Sequence, residues 1–369
     1  MGVNCIRRNG GMITNMPADI YEKVIQANEK NIELWKNRSQ SYDMLTGLIP
    51  LMEKILGYFK EDVNLDLKEF EKIHKNVEKI NYSLETCIFG TMFLDKERYE
   101  GVVSKTDNLV DVQKEVKNIY DEMYIKMVNV WEQEKKQRHT CCYCQNEKFF
   151  FPLSAYRDYM QEYYGADKWK HETQNNEEMT CPACGSADRD RFIILALKEE
   201  DLFSKRIIQF APSAVIDNFL KERESAEYVT CDLFMDGVTY KADIQNLNMI
   251  ETETYDVWIC SHVLEHVQDD RKAMSELYRI TKKDGYGFVL VPLDLNQTKT
   301  DEEWGQSAGE CWRRFGQDDH CRKYAKKDFI DRLTESGFRV QQLTKDYFGD
   351  TLFLENAISD TSVLYKVTK

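Results

Sequence analysis

Four cysteines carry the first chemistry that the sequence offers. Cys141 and Cys144 stand in "CCYC", Cys181 and Cys184 in "CPAC", with residues 145–180 between the pairs. A C-x-x-C pair bends into a tight knuckle that aims two thiolates at one metal ion, and two knuckles complete a tetrahedral four-sulfur set. The proline and the following glycine of "CPACGS" suit such a turn. The expectation is a structural zinc ion on Cys141, Cys144, Cys181 and Cys184, with no open position for catalysis. Redox dithiols or an iron–sulfur cluster are the alternative uses of the same residues. Cys142 and His171 are spare donors and read as bystanders. Zinc ribbons often touch nucleic acid, but this region holds as many acids as bases, which speaks against that role.

A second group of residues lies on elements that must present them together. From Arg206 onward short apolar runs alternate with helical stretches. The strands expected are "RIIQFA", "AEYVTCD", "YKAD", "YDVWIC", "GYGFVLVP" and "FRVQQL"; the helices are "VIDNFLKER", "DDRKAMSELYRITK" and "KKDFIDRLTESG". Such alternation predicts an α/β fold with a parallel, doubly wound, Rossmann-like sheet. A sheet of this kind binds nucleosides at the carboxyl ends of its strands, with an acid after the second strand on the ribose hydroxyls. Asp232 ends the second strand and is expected to hold a ribose. Asp243, followed by Ile244, ends the third and is expected at the base.

The stretch from Tyr255 to Leu293, with "YDVWICSHVLEHVQDD" and "YRITKKDGYGFVLVP", resembles class I S-adenosylmethionine-dependent methyltransferases of the seven-strand type. Their first loop normally reads acid-x-Gly-x-Gly-x-Gly. Here Gln209 stands at the acid, and Ala211, Ser213 and Val215 at the glycines. The loop "FAPS" looks like that of a subgroup with an "APE"-type loop, often associated with glycan assembly, although Ser213 stands where Glu is common. The stretch "FGQDDHCRKYAKKDFIDRLTESGFRV" also resembles that subgroup, and the whole likeness runs from about Thr180 to Leu343.

The resemblance implies S-adenosylmethionine as cofactor, held by Gln209, Phe210, Ala211, Pro212, Ser213, Asp232, Leu233, Asp243, Ile244, Ser261 and His262. Pro212 fixes its own φ, and the helix start at Ser213 can offer amides to a carboxylate. His262, His320 and Asp319 are the catalytic candidates, the histidines because imidazole titrates near neutrality. Glu265 and His266 are expected to buttress the site. Arg322 is read as an anion clamp and Tyr324 as a pocket wall, on a long segment between Pro292 and Lys327 that should cover substrate. A metal on Cys311, His320 and Cys321 fits no knuckle spacing. The function implied is O- or N-methylation of a sugar, glycan-linked or other small acceptor. An RNA or protein methyltransferase with the ribbon as reader, and a scaffold with a degenerate loop, are the rival readings.

The rest of the chain sets limits. Residues 1–137 carry a helical apolar rhythm and are expected to form a bundle for oligomerisation or partner docking. Helices are predicted over Leu67–Ile80, Leu84–Phe93 and Asn108–Lys136, and Pro50 should kink or end the first helix near Ile49. Residues 138–200 form the ribbon and 201–369 the methyltransferase domain. Formal charge is −14 and the isoelectric point about 5.1, so nucleic acid and anionic lipid are unfavoured partners. No apolar run suits a membrane span, and no leader or acylation motif is evident. Eleven cysteines, an odd number, suit metal or chemistry in a reducing cytoplasm better than a disulfide framework.

Overall fold

The computed structural model describes residues 18–59, 65, 67–85, 93–104, 109–153, 156–166, 168–223 and 227–369. The chain divides into two compact units, Lys30–Arg138 and Met1–Glu29 with His139–Lys369.

The first unit is helical. Its elements are most of α1 (Ala18–Leu56), then α2 (Leu67–Glu85), α3 (Lys96–Val103) and α4 (Leu109–Lys135). Apolar residues at three-, four- and seven-residue steps make one core: Leu45, Met52 and Ile55 from α1, Val77, Ile80 and Leu84 from α2, Val116, Met123 and Met127 from α4. Pro50 does not end α1, which continues to Leu56. A proline removes one backbone donor, and the flanking turns of a long helix can hold it in place. Helix α3 was not expected. Most of the helix predicted over Leu84–Phe93 lies outside the described residues.

The second unit takes the start of α1 and resumes with β1 (His139–Thr140) and β2 (Glu147–Lys148), the ribbon that carries the first cysteine pair. Then come α5 (Tyr156–Tyr163), α6 (Asp188–Lys198), β3 (Arg206–Phe210), α7 (Ala214–Lys221), β4 (Glu227–Asp232), β5 (Tyr240–Lys241), β6 (Tyr255–Ser261) and α8 (Asp270–Ile280). The chain ends with β7 (Thr281–Leu290), β8 (Asp301–Glu302), α9 (Ala308–Phe315), β9 (Arg322–Lys323), α10 (Lys326–Glu335), β10 (Arg339–Leu343), α11 (Lys345–Phe348), α12 (Asp350–Glu355) and β11 (Leu364–Thr368).

Seven strands form one sheet in the order β10-β11-β7-β6-β3-β4-β5. The five from β7 to β5 are parallel, whereas β11 runs antiparallel to both β7 and β10. The sheet is therefore mostly, not wholly, parallel. Strand β11, "LYKVT", is the seventh strand that periodicity did not flag.

Both faces of the sheet are covered. Trp258 and Cys260 of β6 pack with Met274 and Leu277 of α8 and Phe329 and Leu333 of α10. Val257 and Ile259 face the other way, onto Phe192 and Ile194 of α6 and Ile216 and Phe219 of α7. A strand buried on both sides reads as a continuous apolar run, which is why "VWIC" has no alternation. Gly287 is required beside it, since a Cβ there would lie 2.0 Å from the Trp258 ring. Fully buried side chains such as Leu277 each contribute about 2–5 kcal/mol by the cost of truncation to alanine.

The segment between Pro292 and Lys327 is not the open loop expected. It holds α9 and the antiparallel β8–β9 ribbon. Among the described residues no helix is long and apolar enough to cross a membrane.

Candidate functional site

From β3 the chain winds to β4 and β5 on one side, then returns to β6 and β7 on the other. The strand order therefore reverses between β3 and β6. The crevice outside their carboxyl ends is where doubly wound sheets take ligands.

Two residues at that point hold left-handed backbone: Ala211 (φ 46) after β3 and His262 (φ 56) after β6. Non-glycine residues with positive φ are uncommon and cluster at functional sites. Ala211 thus makes the bend that glycine makes in most such loops. Its N–H donates to Cys231 O at 2.9 Å, which extends the β3–β4 ladder by one residue. Ser213 caps α7 and accepts from Ile216 N, so the helix N-terminus is fixed against this loop. Ala211, Pro212 and Ser213 are all partly exposed.

The other expected cofactor residues fall around the same crevice in different states. Asp232 ends β4; its Oδ1 accepts from Phe234 N (2.7 Å) and Met235 N (2.6 Å), a turn that aims the carboxylate. Asp243 follows β5, with both oxygens 3.1 Å from Gln245 Nε2. Leu233 is exposed; Ile244 and Phe210 are buried. Gln209 is buried in mid-sheet and accepts from the Tyr228 hydroxyl at 2.7 Å, so its amide supports the loop from behind. Ser261 and His262 are half-buried at the tip of β6.

A 3-10 turn, Leu264–His266, follows β6. The segment "DDHCRKY" is pinned against it. Cys321 N donates to Glu265 O at 2.9 Å. Arg322 is buried, and its guanidinium donates to Leu264 O, to Val267 O (2.7 Å) and to Gln268 O (2.9 Å). Asp270 receives the Tyr324 hydroxyl (2.6 Å) and Arg332 Nη1 (2.7 Å), while Glu302 bridges Arg332 and Arg322. Arg322 and Tyr324, expected to touch substrate, spend their polar atoms on partners inside the protein.

That pinning gathers a histidine–carboxylate group. Glu265 is fully buried, 3.3 Å from His262 Nδ1 and 3.8 Å from His266 Nε2. Neither contact has hydrogen-bond alignment, and both carboxylate oxygens lack a hydrogen-bond partner. His266 Nδ1 lies 3.3 Å from Asp319, and its ring meets that of His320 edge-on, centroids 4.6 Å apart. Burial favours the neutral Glu265, yet the imidazoles of His262, His266 and His320 outweigh it and hold its carboxyl at about 2. Burial, with His266 beside it, lowers His320 to about 3. Burial also lowers His262, helped by the positive charges of Arg189 and Arg157 and opposed by Glu265. His320 is closed off from solvent, unlike His262.

Sequence reasoning missed Arg189 and Arg157 as charges acting on His262. They lie on α6 and α5, before the first sheet strand, and belong to no recognisable motif. Glu265 and His266, expected to buttress the site, lie beside the two catalytic candidates, Glu265 against His262 and His266 against His320.

The four cysteines converge as expected. Their sulfurs lie within 4.8 Å of one another, with Cys141–Cys184 at 3.7 Å and Cys144–Cys181 at 3.8 Å. A tetrahedral ion with bonds of about 2.3 Å sets its sulfurs about 3.8 Å apart. Each knuckle closes with an i to i+4 hydrogen bond of 2.9 Å, from Gln145 N to Cys141 O and from Gly185 N to Cys181 O. Gln145 and Gly185 both take positive φ. Arg191 ties the second knuckle to the body, donating to Ser186 O and Asn356 O. Every described cysteine is a free thiol. Cys142 is buried, and burial raises its thiol to about 12. His171 stands apart from the sulfurs, in a bridge with Asp294.

A family model described as a methyltransferase domain matches residues 135–343, more than half of the chain. The chain belongs to that methyltransferase family. Among solved structures it is similar to S-adenosylmethionine-dependent methyltransferases from Mesorhizobium loti (13% identity, 49% of this chain and 98% of that one, TM-score 0.36) and Archaeoglobus fulgidus (15%, 50% and 95%, 0.32). A third, from Aquifex aeolicus, shares 13% identity over 47% of this chain and 86% of that one, with a TM-score of 0.28. No curated protein matches the sequence.

Proposed function

We propose that this methyltransferase binds S-adenosylmethionine between the Ala211–Ser213 loop and Asp232, and methylates an oxygen or nitrogen of an anionic sugar or glycan-linked metabolite. The observation that carries the reading is the left-handed backbone at Ala211, at the reversal point of the sheet. It supports a loop that keeps the close approach of a glycine loop without glycine. The cofactor supplies a methyl group on a sulfonium, and the chain's own task is to align an acceptor in line with it. The α7 N-terminus suits the cofactor carboxylate and Asp232 suits its ribose, with Asp243 and Ile244 on the base side.

His262 has its Nδ1 toward Glu265, which leaves Nε2 for the acceptor. A neutral imidazole there would take the proton of the acceptor hydroxyl as that oxygen receives the methyl group. Such a base typically contributes about 10²–10⁴-fold. The positive charges of Arg189 and Arg157 act on His262, and a phosphate or carboxylate on the acceptor would be favoured by that charge. Zinc on the four cysteines has a structural part.

The test is methyl transfer from labelled S-adenosylmethionine to a panel of nucleotide sugars, acidic glycans, RNA and protein. The reading expects transfer to the sugars, and loss of turnover in His262→Ala with cofactor affinity kept. Transfer to RNA or protein alone contradicts the acceptor assignment.

A further inference from the structure

We infer that Glu265, His266 and His320 form a divalent transition-metal site, separate from the four cysteines and set beneath His262. These three side chains bring ligand atoms within 4.8 Å of one another. Two imidazoles and one carboxylate are a donor set that leaves coordination positions open on one side.

Three observations carry the site. Glu265 is completely buried with both oxygens lacking a hydrogen bond, the ring nitrogens of His262 (3.3 Å) and His266 (3.8 Å) lying beside it unaligned, and a buried carboxylate without hydrogen bonds is expensive. An ion at the centre of the cluster would satisfy it. Next, each imidazole is held from behind. His320 Nδ1 is 3.1 Å from Phe315 O, so it donates there and the neutral ring keeps its lone pair on Nε2. His266 Nδ1 faces the Asp319 carboxylate at 3.3 Å and turns Nε2 toward Glu265. A carbonyl or carboxylate on the far ring nitrogen is the usual support of a metal-bound histidine. Finally, the cluster is braced: Cys321 N to Glu265 O and three donors of Arg322 hold the two segments in register.

The donors are nitrogen and oxygen, with no thiolate. They suit manganese, iron, cobalt, nickel or zinc in the divalent state, whereas the four-sulfur site selects zinc. The site itself stands on geometry. Its use rests on the methyltransferase reading: the open positions would take an oxygen of the acceptor and fix it beside His262.

The test uses the full chain with its cysteine site loaded with zinc, titrated with cobalt(II) chloride and followed by visible absorption. One equivalent is expected to bind with a band that lacks thiolate charge transfer, and Cys181→Ser is expected to leave that band in place. His266→Ala, whose residue is partly exposed, is expected to abolish it with thermal unfolding little changed. Asp319→Asn should weaken binding about 10–100-fold. If the wild type takes up cobalt only with thiolate charge transfer, or if His266→Ala binds as the wild type does, the site does not exist. S-adenosylhomocysteine is titrated in parallel. Cobalt binding without nucleoside binding removes the methyltransferase reading and keeps the metal site; the converse removes the metal site alone.

Discussion

The backbone N–H of Cys321 donates to the carbonyl oxygen of Glu265 at 2.9 Å. This bond joins the turn after β6 to a segment 56 residues later, and it sets His320 against His266. The adjacent Arg322 repeats the link with three donors to Leu264, Val267 and Gln268.

Arg322→Ala is therefore expected to destabilise the protein strongly. It removes a buried cation from Asp270 and Glu302 and strands three carbonyls. Breaking a buried ion pair costs about 3–5 kcal/mol. Urea denaturation measures it, and Arg322→Lys should recover only part because one ammonium cannot span the same carbonyls.

Ala211 gives a paired expectation. Ala211→Gly relieves a left-handed alanine worth about 1–2 kcal/mol, partly offset by glycine's freedom in the unfolded chain, so stability and cofactor binding stay close to wild type. Ala211→Val places a β-branched residue at φ 46 and should lose both. Thermal melts with and without S-adenosylhomocysteine separate the two variants.

Arg189→Ala is expected to raise the KM for an anionic acceptor at least tenfold and to leave S-adenosylhomocysteine affinity unchanged. Equal loss in both would place the arginine on the cofactor instead.

Chelation of the four-cysteine ion, or Cys181→Ser, should unfold the ribbon and loosen α6, because Arg191 joins Ser186 to Asn356. Hydrogen exchange at residues 141–198 reports it. Protection equal to that of the metal-loaded protein would contradict a structural ion.

Acid should weaken the fold through His171. Burial and the nearby Arg157 charge lower its pKa from about 6.5 to about 4, so the unfolded chain binds the proton first. Stability is complete above about pH 6.5 and falls as pH drops toward 4. His171→Asn should show a smaller fall in denaturation midpoint between pH 7.5 and pH 5.

How much of this was legible follows from physical range. The two-sided burial of β6 and the apolar stripe of α8 are local patterns, and they placed most of the sheet correctly. Thr281 and Lys282 begin β7 but read as the end of a helix. Helix α9, "AGECWRRF", buries only Cys311, Trp312 and Phe315, too few for a periodic signal. The cysteine spacing named its own cluster. The meeting of Glu265, His266 and His320 was not legible, since it depends on Arg322 being drawn inward to carbonyls rather than outward to substrate.

The most direct measurement is calorimetric titration of the full chain with S-adenosylhomocysteine. The account expects one site per chain, at least tenfold weaker in Asp232→Ala and abolished in Ala211→Val. A flat titration of a folded wild type, or affinity indifferent to both substitutions, would contradict it.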